Sequence, residues 1–268
     1  WSDICKGARP CTPDFDQFDV RRLEDVELLA EDIPTICAEV SPNGVPMPLV
    51  PQRRIPHQGD FVDFSMGSEF GDADELPVHT FTMRMVRMDE REATWQDLSW
   101  FLNDQGNVCG VGPCIEPDLM QGYLEQTGGR WVPVAGAENM PAVGVTWAGA
   151  DSYCAWRRMR LPYEWDWEMA ASAVGRTRYP WGDTPPDCQH AAFADCGLSE
   201  ASPVCSLPDG ISADGVCDLA GNVAEWLALD YREDFYSECC DAYTCPGDGE
   251  WVGPEKNVRG GSFLSSAE

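Results

Sequence analysis

Positive charge is scarce in this sequence. Lysine occurs only at Lys6 and Lys256, and 18 lysines and arginines face 46 aspartates and glutamates, for a net charge of −28. No basic face can form to neutralise phosphates, so nucleic acid is excluded as a partner. Histidine is limited to His57, His79 and His190, which are widely scattered, and no cysteines stand in a CxxC pair, so zinc spacings are lacking. No apolar run approaches the about twenty residues of a membrane span, and no apolar leader stands at Trp1. No fixed-period repeat marks a propeller or a solenoid.

What is abundant points to a folded, loop-rich chain. Hydrophobic residues make up 43% of its 268 positions, too many for disorder, and 21 Pro, 25 Gly and 11 Trp favour short elements and structured loops over a helical bundle. Thirteen cysteines read as disulfides and hence as an oxidising compartment: secreted, cell-surface or periplasmic. Cys5 with Cys11, Cys109 with Cys114, Cys188 with Cys196, and Cys239 or Cys240 with Cys245 are close enough for local staples, although spacing leaves the connectivity open. The acidic balance keeps a surface soluble, or suits calcium-rich or salty surroundings.

Residues 1–57 are rich in Pro, Asp and Cys and read as an arm laid over the main body, with one short helix expected between Val20 and Ala30. The character changes after His57. "GDFVDFSMGS" reads as a strand, and Val78, Phe81, Met83 and Met85 continue a period-two alternation up to the polar break at "DEREAT". Met83, Met85 and Met88 form a sulfur-rich stripe that core packing explains better than metal ligation. Thr94 is placed to cap a helix carrying Leu98, Phe101 and Leu102 on one face and ending before Gly106. A second helix is expected over Thr146–Met159, and a third over "YEWDWEMAASAVG", with Gly175 as its stop. From Arg176 onward the chain reads mostly as loop, which disulfides, ions or buried tryptophans must hold. The pairs within Asp72, Asp74 and Glu75, and Glu164 with Glu168, are what 46 carboxylates produce on a solvated surface.

The stretch "VCDLAGNVAEW", residues 216–226, offers hard oxygen donors. Asp218 and Glu225 supply carboxylates, and Gly221 and Asn222 allow a turn in which carbonyl oxygens converge, the mixed donor set that calcium uses. The span is too short for an EF-hand loop. On spacing alone the alternative stays open that Asp218 caps a turn and Glu225 pairs with an arginine.

In order along the chain, "MGS", "ELPVH", "PAVGVTWAGADSYCAWRRMRLPYEWDWEMAASAVGRTRYPWG", "GVCDLAGNVAEW" and "NVRGGSF" closely resemble the formylglycine-generating enzymes, also called sulfatase-modifying factors. The resemblance covers residues 58–268 and implies an α+β fold related to the C-type lectin fold, loop-rich, with small antiparallel sheets, flanking helices and structural calcium. It implies calcium at Asp218 and Glu225 through side-chain oxygens and at Gly221 and Val223 through backbone carbonyls. A second family calcium site is put in doubt by Ala192, in "HAAF", where the family usually has asparagine. The family's enzymes hold copper(I) with two cysteine thiolates and use oxygen to oxidise a cysteine of a sulfatase peptide to formylglycine. The first thiolate position here is Ser265, a hard, high-pKa hydroxyl that cannot replace a thiolate, so copper is not expected. Ser262, which lines the enzymes' pocket, is retained, and equally suits a strand-end hydroxyl bonded to backbone. The resemblance further implies a last strand and a second cysteine after Glu268, or a further chain completing that end. It also implies a partner there for Cys154, which otherwise is a buried thiol.

Three classes follow. The first is a non-catalytic extracellular module that binds a protein or glycan, with Trp226, Tyr231 and Trp251 as an exposed aromatic patch. The second is an oxidoreductase of the formylglycine-generating type acting through a divergent site, with a deep pocket at Ser262. The third is an accessory subunit completed by another chain. Ser265 and the acidic surface favour the first.

Overall fold

The computed structural model describes residue 43 and residues 50–56, 59, 61–233, 235–238 and 255–266. The helix expected between Val20 and Ala30, and Cys5, Cys11, Cys239, Cys240, Cys245, His57 and Trp251, lie outside the described residues. Among the described residues the architecture is α+β with four two-stranded antiparallel sheets. In these, β1 (Gln52–Ile55) pairs with β4 (Val86–Asp89), and β2 (Phe61–Met66) pairs with β3 (His79–Arg84). Further on, β5 (Leu124–Thr127) pairs with β6 (Arg130–Pro133), and β7 (Glu225–Asp230) with β8 (Lys256–Arg259). The helices are α1 (Trp95–Gln105), α2 (Pro117–Met120), α3 (Trp147–Trp156), α4 (Glu164–Ala171) and α5 (Phe235–Glu238).

The alternating run around Met83 is two strands with different partners, because the alternation changes phase at Met85. Met83 pairs across to Val62, whereas Met88 faces Arg53 in the other sheet. All three methionines of the stripe are buried core residues. The strand β1 falls at the end of the Pro-rich stretch and carries Ile55 into the core at 0% exposure.

Helix α1 begins where Thr94 predicts. The Thr94 hydroxyl accepts from the Asp97 amide and the Asp97 carboxylate accepts from the Thr94 amide, a reciprocal cap worth about 1 kcal/mol. Helix α3 starts on a Thr146 cap and ends at Trp156, three residues before Met159. Helix α4 also stops early. The Ser172 hydroxyl donates to Glu168 O at 2.6 Å and accepts from Gly175 N at 2.8 Å, and this local exchange turns Ala173 and Val174 into positive φ.

Two core clusters result. One joins the sheets β1–β4, β2–β3 and β7 to α4 and α5, around Phe64, Met66, Met169 and Leu227. The other surrounds α1 and α3, around Trp95, Leu98, Phe101 and Tyr153. Two indoles stitch them together: Trp147 Nε1 donates to Leu227 O and Trp226 Nε1 to Val145 O, each at 2.8 Å. Disulfides Cys109–Cys114, Cys188–Cys196 and Cys205–Cys217 staple the loops, and Cys154 is the free thiol among the described residues.

Candidate functional site

The loop of residues 216–226 leads into β7 and is held on both sides. Gly221 N donates to Gly260 O and Asn222 N to Ala192 O, both at 2.8 Å, while Phe263 N returns to Asn222 O at 2.8 Å. Asp218, Gly221 and Asn222 all have left-handed backbones, with φ of 58°, 82° and 57°. A Cβ at Gly221 would stand 2.2 Å from Ala192 O, so only glycine fits between these segments. The "RGGSF" segment and the carboxylate loop, distant in sequence, are therefore neighbours.

The carboxylates of this loop are partly withdrawn from solvent and held by neutral donors. Asp218 Oδ2 accepts from Cys205 N at 2.6 Å, and Glu225 Oε2 accepts from the Trp167 indole of α4 at 2.7 Å; among the described residues no arginine pairs with Glu225. Burial, with the nearby Asp218 charge, pushes Glu225 up to about 7, and burial raises Asp218 as well. A third carboxylate joins them that sequence reading missed. Glu92, 8% exposed, is held well above the usual carboxylate range by burial and by the charges of Asp218 and Glu225. Its segment, "DEREAT", reads only as a polar break, and nothing local marks Glu92 as facing a loop far along the chain. Three carboxylates, Glu92 buried and Asp218 and Glu225 half-buried, thus stand beside the loop carbonyls, hard oxygen donors of the class calcium takes, without their oxygens converging as a three-ligand group. Among the described residues the group of that kind is Glu90 with Cys205 and Cys217. A cavity of about 190 Å³ adjoins them, lined by Glu92 and Glu225 and also by the Cys154 side of α3.

Ser262 and Ser265 lie in the turn after β8. The Ser265 hydroxyl accepts from Ser262 N at 3.0 Å, and the Ser262 hydroxyl accepts from Leu264 N at 3.2 Å. Ala194 N closes the turn onto Ser265 O at 2.9 Å. Neither residue lines this cavity or a second one of about 380 Å³. Cys205 and Cys217 come together with Glu90, but as a disulfide, leaving no thiolate there for a soft metal.

The second cavity gathers the acidic pairs expected on a solvated surface. Arg259 forms an ion pair with Glu164 and lies 3.7 Å from both Glu75 and Glu168. Glu164 is buried, and Tyr236 of α5 donates to Glu168 at 2.6 Å. These groups form a structural hub around the arginine of "RGGSF", so Glu164 and Glu168 are not the solvated pair that the sequence alone suggests. The expected aromatic patch is likewise reduced: Trp226 is half-buried and packed, and Tyr231 is exposed with its hydroxyl on Asp74 at 2.7 Å.

The profile of the sulfatase-modifying factor enzyme 1-like domain matches residues 58–268. The chain belongs to the sulfatase-modifying factor family. Among the relatives of this sulfatase-modifying factor domain, the serine/threonine-protein kinase Pkn1 of Chlamydia trachomatis serovar L2 is 35% identical over 209 residues, 76% of this chain and 32% of Pkn1. The chain thus spans about a third of the length of that relative. The formylglycine-generating enzyme of Streptomyces coelicolor is 29% identical, covering 88% of this chain and 86% of the enzyme. PvdO from Pseudomonas aeruginosa shares the fold of the domain, with a TM-score of 0.56 at 23% identity, covering 77% of this chain and 81% of PvdO. No helix among the described residues is long and apolar enough to cross a membrane.

Proposed function

We propose that this sulfatase-modifying factor domain is a non-catalytic, calcium-stabilised module that binds a protein or glycan outside the reducing cytoplasm. The observation that carries this reading is Ser265. Copper(I) chemistry as the family performs it needs two thiolates, and the hydroxyl that stands at the first position is engaged in its own turn. Calcium, when bound, supplies the positive charge that Asp218 and Glu225 otherwise lack, with the Gly221 and Val223 carbonyls completing the donor set. Three disulfides support an oxidising compartment, secreted, cell-surface or periplasmic. The scaffold in this reading is the lectin-related one, and β1, at the end of the Pro-rich stretch, belongs to its core.

The experiment is anaerobic titration of the purified protein with copper(I) against a chelating dye, followed by oxygen uptake with a cysteine peptide. The module reading expects neither stoichiometric copper nor uptake. Stoichiometric copper with uptake would establish the oxidoreductase reading instead.

A further inference from the structure

The carboxylate loop is gripped from outside by one side chain. Glu92 stands just ahead of the Thr94 cap of α1, and its two oxygens take two donors from the loop: Asn222 Nδ2 at 2.7 Å and the Val223 amide at 3.1 Å, 130 and 131 positions away. The Asn222 side-chain oxygen accepts from Ser202 N at 2.8 Å, so both ends of that amide are fixed. The backbone beside Glu92 follows the loop too, since Glu90 O accepts from Cys217 N at 2.8 Å. Among the described residues, no lysine or arginine forms an ion pair with Glu92, Asp218 or Glu225.

Building on the calcium reading above, we propose that Glu92 is a positioning residue of the cation loop, and that ion binding latches the segment before α1 to the loop through it. Its two hydrogen bonds fix the peptide between Gly221 and Val223, the two residues whose carbonyls that reading gives to the ion. Its charge adds to those of Asp218 and Glu225 in the field that a cation meets at the loop, although its own oxygens are taken by the loop's donors. Without the ion the same buried charge is a burden, because like charges in a desolvated site repel. A residue of purely structural value would stabilise both forms equally. Glu92 instead favours the loaded form over the empty one.

The test is calcium titration by calorimetry on the whole chain, with thermal midpoints in chelator and in calcium, for wild type and Glu92→Gln. The expected result is calcium affinity weakened roughly tenfold or more, as for other residues that support metal ligands, with the midpoint falling further in calcium than in chelator, where Gln leaves one of the two donors without its acceptor. Asn222→Gly, which keeps the left-handed backbone and removes one donor to Glu92, is expected to weaken calcium in the same direction. Wild-type affinity in both variants, or equal loss of midpoint with and without calcium, overturns the proposal. A wild-type chain that takes up no calcium overturns the calcium reading itself, a result distinct from the other two.

Discussion

Ser262 Oγ and Ser265 Oγ lie 3.2 Å apart in the turn that follows β8. The contact makes the retained pocket serine and the residue at the thiolate position partners in local structure. Ser265→Ala is therefore expected to cost about 1 kcal/mol, the worth of an ordinary hydrogen bond, in chemical denaturation. A metal or reactive role would show instead as lost metal or lost oxygen uptake with little change in stability.

Gly221 is the position where backbone geometry leaves no choice. Its φ of 82° and the 2.2 Å approach of a Cβ to Ala192 O mean that Gly221→Ala must strain the turn and push two segments apart. A loss of about 2 to 3 kcal/mol is expected, together with most of the stabilisation by calcium. An unchanged calcium response in this variant, read from thermal midpoints, would show that the loop does not shape the site.

The disulfide Cys205–Cys217 closes a separation of 12 residues, and Cys205 N holds Asp218. Replacing both cysteines by alanine is expected to cost about 3 kcal/mol by freeing the unfolded loop. It should also weaken calcium binding, because Asp218 loses the fixed amide that holds its carboxylate. A calorimetric titration equal to that of wild type would contradict that link.

Around Arg259 the pH dependence has a definite sign. Burial raises Glu75 above its ordinary value, with the Glu168, Asp74 and Asp72 charges adding to it and Arg259 opposing it. A carboxyl raised on folding binds its proton more tightly in the native state, so its contribution is fully present below the unfolded pKa and is lost as pH rises through the folded one. Glu75→Gln is expected to flatten this part of the stability profile, upward from the ordinary carboxylate range, measured by denaturant midpoints. A profile as steep as that of wild type would assign the slope to other groups.

The legible parts of this protein are those that local rules decide. Thr94 and Thr146 announce their helices because a hydroxyl before an apolar stripe satisfies the first amides. The order of motifs announces the family. What stayed hidden is contact across distance. Glu92 looks like one acid in a polar break until the fold carries it to Asn222, and Glu164 and Glu168 look solvated until Arg259 arrives from β8. The early end of α4 was also out of reach, since it depends on the Ser172 side chain replacing a backbone acceptor.

The central claim is that this scaffold keeps a structural calcium loop and has lost the soft copper site, and metal content tests it most directly. The protein purified without chelator is assayed by plasma mass spectrometry, then melted before and after chelation. The account predicts near-stoichiometric calcium, no stoichiometric copper, and a midpoint that falls on chelation and returns with calcium alone. Copper near one per chain, with a midpoint indifferent to calcium, would contradict it.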